Sequence, residues 1–177
     1  MTAVALVYLS PSTQEFNDYY TDGNEEQYMN LIADAIEPYL VENGIDFVRN
    51  TPEMTAASSI QQSNASGADL HVAIHSNASP PELAGLLTGT DIYYNPSNPE
   101  SLRFARLLQD ELKQIYYEPD NVEVLPTSTL GEVLRTNAPS VLIETAYHDN
   151  PTDEQWIKDN IDPIANAISI AITDFLE

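Results

Sequence analysis

The chain's pattern predicts an α/β domain in which helices cover a largely parallel sheet. Three observations carry that expectation. Short strand-like apolar runs alternate with helix-periodic segments along the whole length, the order in which βα units are built. The 177 residues suit one domain spanning 1–177, able to bury roughly 70 % of the surface its unfolded form would expose. Loops rich in Pro, Ser, Asn and Gly, at 10–24, 76–89 and 95–99, follow strand ends, where open α/β sheets place their sites.

The apolar start of the chain, 1–9, reads as a buried first strand, with its core at 3–9. It lacks the basic region of a signal peptide and is too short to span a bilayer. A helix follows Asn24, which can cap it with Gln27 three residues on; Tyr28, Leu31, Ile32, Ala35, Ile36 and Tyr39 then share one face. Further strands are expected at 45–48, 70–75, 90–94, 122–125 and 140–145. Asn98-Pro99-Glu100 signals another helix, since proline suits a first helical position, and Ala105, Leu108, Leu112 and Ile115 form its stripe. The C-terminal segment carries Ile157, Ile161, Ile164, Ala165, Ile168, Ile172 and Phe175 at helical spacing, restarted near Asp162-Pro163.

Charge and composition exclude several partners. With Lys+Arg 6 against Asp+Glu 28 the formal charge is −22, which repels nucleic acid and anionic membrane surfaces and suits solubility or high salt. The absence of cysteine removes thiolate nucleophiles and cysteine metal sites, so any metal must use His, Asp, Glu, amides or water. No Gly-x-Ser-x-Gly elbow, phosphate loop or calcium loop occurs.

Candidate chemistry lies at loop-proximal acids and histidines. His75 ends the apolar run Leu70-His71-Val72-Ala73-Ile74-His75, and imidazole is both a common metal ligand and an acid/base near neutral pH. Glu25 and Glu26 open the first helix, where acids also simply complement the helix dipole. Glu144 interrupts the run Val141-Leu142-Ile143-Glu144-Thr145-Ala146, an expensive place for a carboxylate unless it is functional or bonded to backbone or Arg135. His71 shares a strand face with His75, but about 13 Å of backbone separates them, so the two do not close on one metal and His71 reads as structural. His148 reads as an exposed loop residue, with a role in orienting substrate as the alternative. Tyr94, following a strand, is a candidate to line a sugar or peptide groove.

Taken in order, these segments resemble the zinc-dependent N-acetylmuramoyl-L-alanine amidases of the amidase-3 family. Glu26-Gln27-Tyr28-Met29-Asn30-Leu31 is similar to the family's Glu-x-x-x-Asn-Leu helix start, His75-Ser76-Asn77-Ala78 to its His-x-Asn-Ala strand end, and Pro139-Ser140-Val141-Leu142-Ile143-Glu144 with Asn150-Pro151 to its Pro-x-Val-Leu-x-Glu…Asn-Pro segment. The resemblance implies a three-layer fold of the zinc-exopeptidase-like type, a twisted, mixed but mostly parallel sheet between helices. It implies Zn²⁺ held by Glu26 and His75 and Glu144 as the catalytic acid/base; Asn77, in the His-x-Asn-Ala strand end, joins Tyr94 as a candidate substrate contact. The activity implied is hydrolysis of the amide between N-acetylmuramic acid and L-alanine, acting on peptidoglycan of the bacterial cell wall.

One departure bears on the metal. Where the family's first strand runs into Asp-Pro-Gly-His-Gly-Gly and supplies a zinc-binding histidine, this chain has Ser10-Pro11-Ser12-Thr13-Gln14. Gln14 is the better oxygen donor there and is expected as a weak third ligand, with Thr13 not used. The alternative is a domain of the same fold that binds muropeptides without cleaving them, its zinc site weakened or lost.

Overall fold

The computed structural model describes residues 4–177, so the first three residues of the expected opening strand lie outside the described residues. Six strands, β1 (Leu6–Pro11), β2 (Asp46–Arg49), β3 (Leu70–Asn77), β4 (Thr90–Tyr94), β5 (Val122–Pro126) and β6 (Ser140–Tyr147), form one sheet in the order β2-β1-β3-β6-β4-β5. β2, β1, β3 and β6 are parallel to one another, while β4 runs antiparallel to β6 and carries β5 parallel to itself. The sheet is therefore mixed and mostly parallel. Each expected strand forms, several of them one or two residues longer at the C-terminal end.

The helices are α1 (Glu25–Glu42), α2 (Ala56–Ser66), α3 (Pro99–Leu112), α4 (Gly131–Leu134), α5 (Pro151–Asp159) and α6 (Ile161–Leu176). α1, α3 and α6 cover one face of the sheet and bury the main core, in which Met29, Ile32, Ile36, Leu108, Ile168 and Ile172 meet Val72, Ile74, Val141 and Ile143. α2 and α4 cover the other face, where Ala73, Val133 and Leu142 form a small second cluster. The period of two along β3 then decides sides: Val72 and Ile74 enter the main core, and His71, Ala73 and His75 face the thin α2/α4 layer.

Asn24 caps α1 as its sequence suggests, its side chain accepting from Gln27 N. Gly23 before it has φ +81°, and a Cβ there would stand 2.6 Å from the Tyr28 ring, so the turn into α1 requires glycine. The buried stripe of α1 is rotated from the expected one: Met29, Ala33 and Leu40 are buried and Leu31 is exposed. Proline opens α3 and α5 at the first turn, behind Asn98 and Asn150 caps, and the C-terminal helical segment breaks at Asn160. Apolar periodicity does not mark α2 or α4. α2 is set by a Thr55/Ser58 capping box and a left-handed Gly67.

Candidate active site

The parallel strands β3 and β6 place His75 and Glu144 side by side at the C-terminal edge of the sheet, in register as direct partners. The N-terminus of α1 arrives over the same edge. It delivers Glu25, 1 % exposed, whose Oε1 lies 2.8 Å from His75 Nδ1. Asn17 Nδ2 donates to Glu25 Oε2 at 2.5 Å and Ser76 N donates to Oε1 at 3.4 Å. The Gln14 amide nitrogen Nε2 sits 3.4 Å from the same Nδ1, and its Oε1 accepts from Asn17 Nδ2 at 3.3 Å. Glu25, Gln14 and His75 Nδ1 thus converge on one point.

This corrects the expectation for Glu26. Consecutive helical residues point about 100° apart, so only one of the two acids can face His75. Glu26 turns to the groove between α1 and β2, beside Asn30, Asp34 and Arg49. The capping geometry at Asn24 fixes Glu25 as the inward residue. Among the described residues Thr13 makes no side-chain hydrogen bond to the cluster; it lines, with Ser12, Gln14, Asn50, Ser59, His75 and Glu132, a recess of about 240 Å³ beside the imidazole.

Behind His75 stands an acid that sequence reasoning did not single out. Glu132, at the start of α4 and 6 % exposed, accepts from His75 Nε2 at 3.3 Å through Oε2. Its Oε1 accepts from His71 Nε2 at 3.3 Å and from the Ser10 hydroxyl. His71 is fully buried, stacked on the Tyr8 ring with centroids 5.1 Å apart, and its Nδ1 lies 2.9 Å from Ser63 Oγ. His71 therefore sits outside the point of convergence, as its spacing from His75 requires. The one available signal was indirect: two histidines on one buried strand face need a polar partner, and nothing local identifies which acid supplies it.

Electrostatics follow from this packing. Burial works against an imidazolium at His75, but the carboxylates of Glu132 and Glu25 on its two nitrogens outweigh it and raise its pKa to about 10. Burial likewise opposes ionisation of Glu132, and the hydrogen bonds from His71 and His75 prevail and lower its pKa to about 2. Burial opposes the Glu25 carboxylate too, yet His75, Asn17 and Ser12 together hold it below the ordinary value. Glu144 is the opposite case. Burial pushes it up to about 7, His75 pulls it partly back, and the negative charges of Glu25 and Asp91 add to the rise. Its Oε2 is buried with no hydrogen-bond partner, and Arg135 does not reach it.

The remaining candidates fall elsewhere. Asn77 Nδ2 donates to Asp91 Oδ2 at 3.1 Å, so it stands at the site edge, tied to β4. Tyr94 is not at the site. Because β4 runs antiparallel to β6, Asp91 pairs with Glu144 while Tyr94 pairs with Val141, three residues or about 10 Å further away, and packs against the core. His148 is buried, not exposed: its Nδ1 lies 2.9 Å from Ser76 Oγ, it stacks on Tyr19, and burial lowers its pKa.

The chemistry of the cluster suits a divalent cation. Three carboxylates, Glu25, Glu132 and Glu144, surround one imidazole, and one carboxylate oxygen is orphaned, so the site carries excess buried negative charge that a cation would offset. Glu25 and His75 are strong donors and Gln14 is a weak one once its amide presents oxygen. Among the described residues no group of three or more His, Cys, Asp or Glu side chains is arranged to hold a metal ion; Glu25 and His75 are the two strong donors that meet here, and Gln14 reaches them through its amide nitrogen. The residues fit such a cation with fewer strong ligands than a closed zinc site has.

Comparison with known proteins bears on the fold and the family. Solved structures that the chain resembles include the N-acetylmuramoyl-L-alanine amidase AmiC2 of Nostoc punctiforme, with 17 % identity and a TM-score of 0.84 over 99 % of each chain. An N-acetylmuramoyl-L-alanine amidase from Clostridium difficile 630 gives 19 % identity and a TM-score of 0.85 over 98 % of this chain and 97 % of that one. The catalytic domain of CwlV from Bacillus (Paenibacillus) polymyxa var. colistinus gives 19 % and 0.82 over 98 % of each. No curated protein sequence matches. A family profile described as N-acetylmuramoyl-L-alanine amidase matches residues 14–174, and the chain accordingly belongs to the N-acetylmuramoyl-L-alanine amidase family.

Proposed function

We propose that this enzyme hydrolyses the amide joining N-acetylmuramic acid to the L-alanine of the peptidoglycan stem peptide, with Zn²⁺ as cofactor. The observation that carries the reading is the convergence of Glu25, His75 Nδ1 and Gln14 beside Glu144, the acid here whose carboxyl is pushed up to about 7. Glu25 and His75 would hold the cation, with the Gln14 amide completing the protein's share. Bound there, Zn²⁺ supplies the charge that polarises the scissile carbonyl and brings a water's pKa from about 15.7 toward 7.

The chain's own residues do the proton work. Glu144 Oε2 accepts a proton from the attacking water, and its burial, which raises the carboxyl pKa, makes it a better base than an exposed carboxylate. As the new C–O bond forms and the C–N bond breaks, Glu144 delivers that proton to the departing nitrogen. The products are a muramoyl carboxylate and a free amine on L-alanine. Glu132 stays ionised and bonded throughout and touches no reacting atom. Peptidoglycan is thus the partner, met at the bacterial cell wall; no helix among the described residues is long and apolar enough to cross a membrane.

Incubating purified protein with peptidoglycan and zinc should release stem peptides carrying a new amino group on L-alanine. Chelation should stop the release and added zinc restore it. Intact muropeptides at every zinc concentration, with the protein still sedimenting with wall material, would favour the binding-only alternative.

A further inference from the structure

Beside His75, the end of β1, the turn after β2 and the start of α2 frame a recess of about 240 Å³ whose walls carry polar groups that the proposed proton transfer does not use. Asn50, 5 % exposed, lines it. Asn50 Nδ2 donates to the Pro11 carbonyl and to Ser59 Oγ, both at 3.1 Å, and to Ser10 Oγ at 3.3 Å. A carbonyl only accepts, so the amide nitrogen belongs on that side and the orientation of Asn50 is fixed by its neighbours. Asn50 Oδ1 is then buried with no partner, an acceptor that calls for a donor. The Thr13 hydroxyl, lining the same recess, makes no hydrogen bond among the described residues, and Pro11 and Ala56 add small apolar surface.

An unused acceptor, an unused donor and a small apolar wall together match an acetamido group, which offers one N–H, one carbonyl oxygen and a terminal methyl. We infer that the recess is the subsite for the N-acetyl group of the muramic acid residue, with Asn50 Oδ1 accepting its N–H, the Thr13 hydroxyl donating to its carbonyl oxygen, and the methyl lying against Pro11 and Ala56. The inference rests on the peptidoglycan reading above. In that substrate the acetamido group stands on the ring carbon next to the one bearing the lactyl ether whose carbonyl is cleaved, so its subsite must adjoin the reacting atoms. The recess meets that condition, since His75 lines it and is the direct strand partner of Glu144. A peptide amide offers the same N–H and carbonyl but continues at both ends, whereas an acetamido group ends in its methyl. A carboxylate is the wrong occupant, because the ionised Glu132 in the wall repels it.

Calorimetry on the full chain in chelator, where hydrolysis is stopped, compares a muramoyl-L-alanyl peptide carrying the acetamido group with the same compound carrying a free amine there. The acetylated compound should bind more tightly by on the order of 10–100-fold, the worth of a buried hydrogen-bonded group. Asn50 is left intact in the variants because its Nδ2 braces the wall. Thr13→Val removes the hydroxyl at nearly constant shape, and Ala56→Leu, at an exposed position in the first turn of α2, narrows the recess. Each should weaken the acetylated compound about tenfold and leave the free amine unchanged, a loss of discrimination that a folding defect does not produce. Equal affinity of the parent for the two compounds overturns the inference alone, as do folded variants that keep the parent's preference or lose affinity for both. Tighter binding of the free amine, drawn to Glu132, overturns it as well. A parent that binds neither compound, with or without zinc, and cleaves neither overturns the peptidoglycan reading, and this inference with it.

Discussion

At the residue scale the site is governed by which acids are paired. Glu25 and Glu132 are each bonded to an imidazole nitrogen and stay ionised, whereas Glu144 has an orphaned oxygen and is pushed up to about 7. In the proposed mechanism that difference sets the proton carrier, Glu144, apart from the paired acids. It also predicts a stability cost. The folded pKa of Glu144 lies above the ordinary value of 4.5, so its contribution is fully present below pH 4.5 and is lost as pH rises through 7, each pH unit between being worth about 1.4 kcal/mol. In chelator, Glu144→Gln should therefore match the parent in thermal unfolding near pH 4.5 and exceed it at pH 8. A melting-temperature difference independent of pH would contradict this. His75 and Glu144 were legible in the sequence because each ends or interrupts an apolar strand. The choice between Glu25 and Glu26 was not, because two adjacent acids at a helix start read alike until the helix phase is known. Motif spacing points to Glu26, while the phase set by the Asn24 cap selects Glu25.

At the scale of elements, strands and long helices were legible because their periodicity reports directly on burial. α3 buries Ala105, Leu108 and Leu112, with Ile115 half-buried past its end, and α6 buries Ile164, Ala165, Ile168, Ile172 and Phe175, with Ile161 half-buried. The Asn24 and Asn98 caps accept bonds from the first turns of their helices. Short elements were not legible. α4 is a single turn with no periodicity to read, yet it carries Glu132 into the site's rear wall. Strand direction was equally hidden. An alternating strand reads the same in either direction, so nothing in 90–94 says that β4 runs against β6, and that reversal removes Tyr94 from the site and brings Asp91 to Glu144. His148 departs from its expected exposure for a related reason. A polar residue after a strand looks exposed until the loop is seen folding back, with Tyr20 N donating to its carbonyl and Tyr19 covering its ring.

At the scale of the whole molecule, a formal charge of −22 on 177 residues makes self-repulsion a term in stability. Salt shortens the Debye length from about 10 Å at 0.1 M to about 3 Å at 1 M, so the melting temperature should rise over that range of NaCl. An unchanged or falling value would show that the acidic surface is not limiting. The same acidic surface surrounds a centre to which the proposed mechanism gives separable duties, holding and proton transfer, and this separation is the central claim. It is tested most directly by measuring bound zinc and peptidoglycan turnover together in Glu25→Gln, Glu26→Gln and Glu144→Gln. Glu25→Gln should lose both zinc and turnover, Glu26→Gln should keep both, and Glu144→Gln should keep zinc while turnover falls by about 10²–10⁴. Zinc lost from Glu26→Gln but retained in Glu25→Gln, or full turnover in Glu144→Gln, would contradict it.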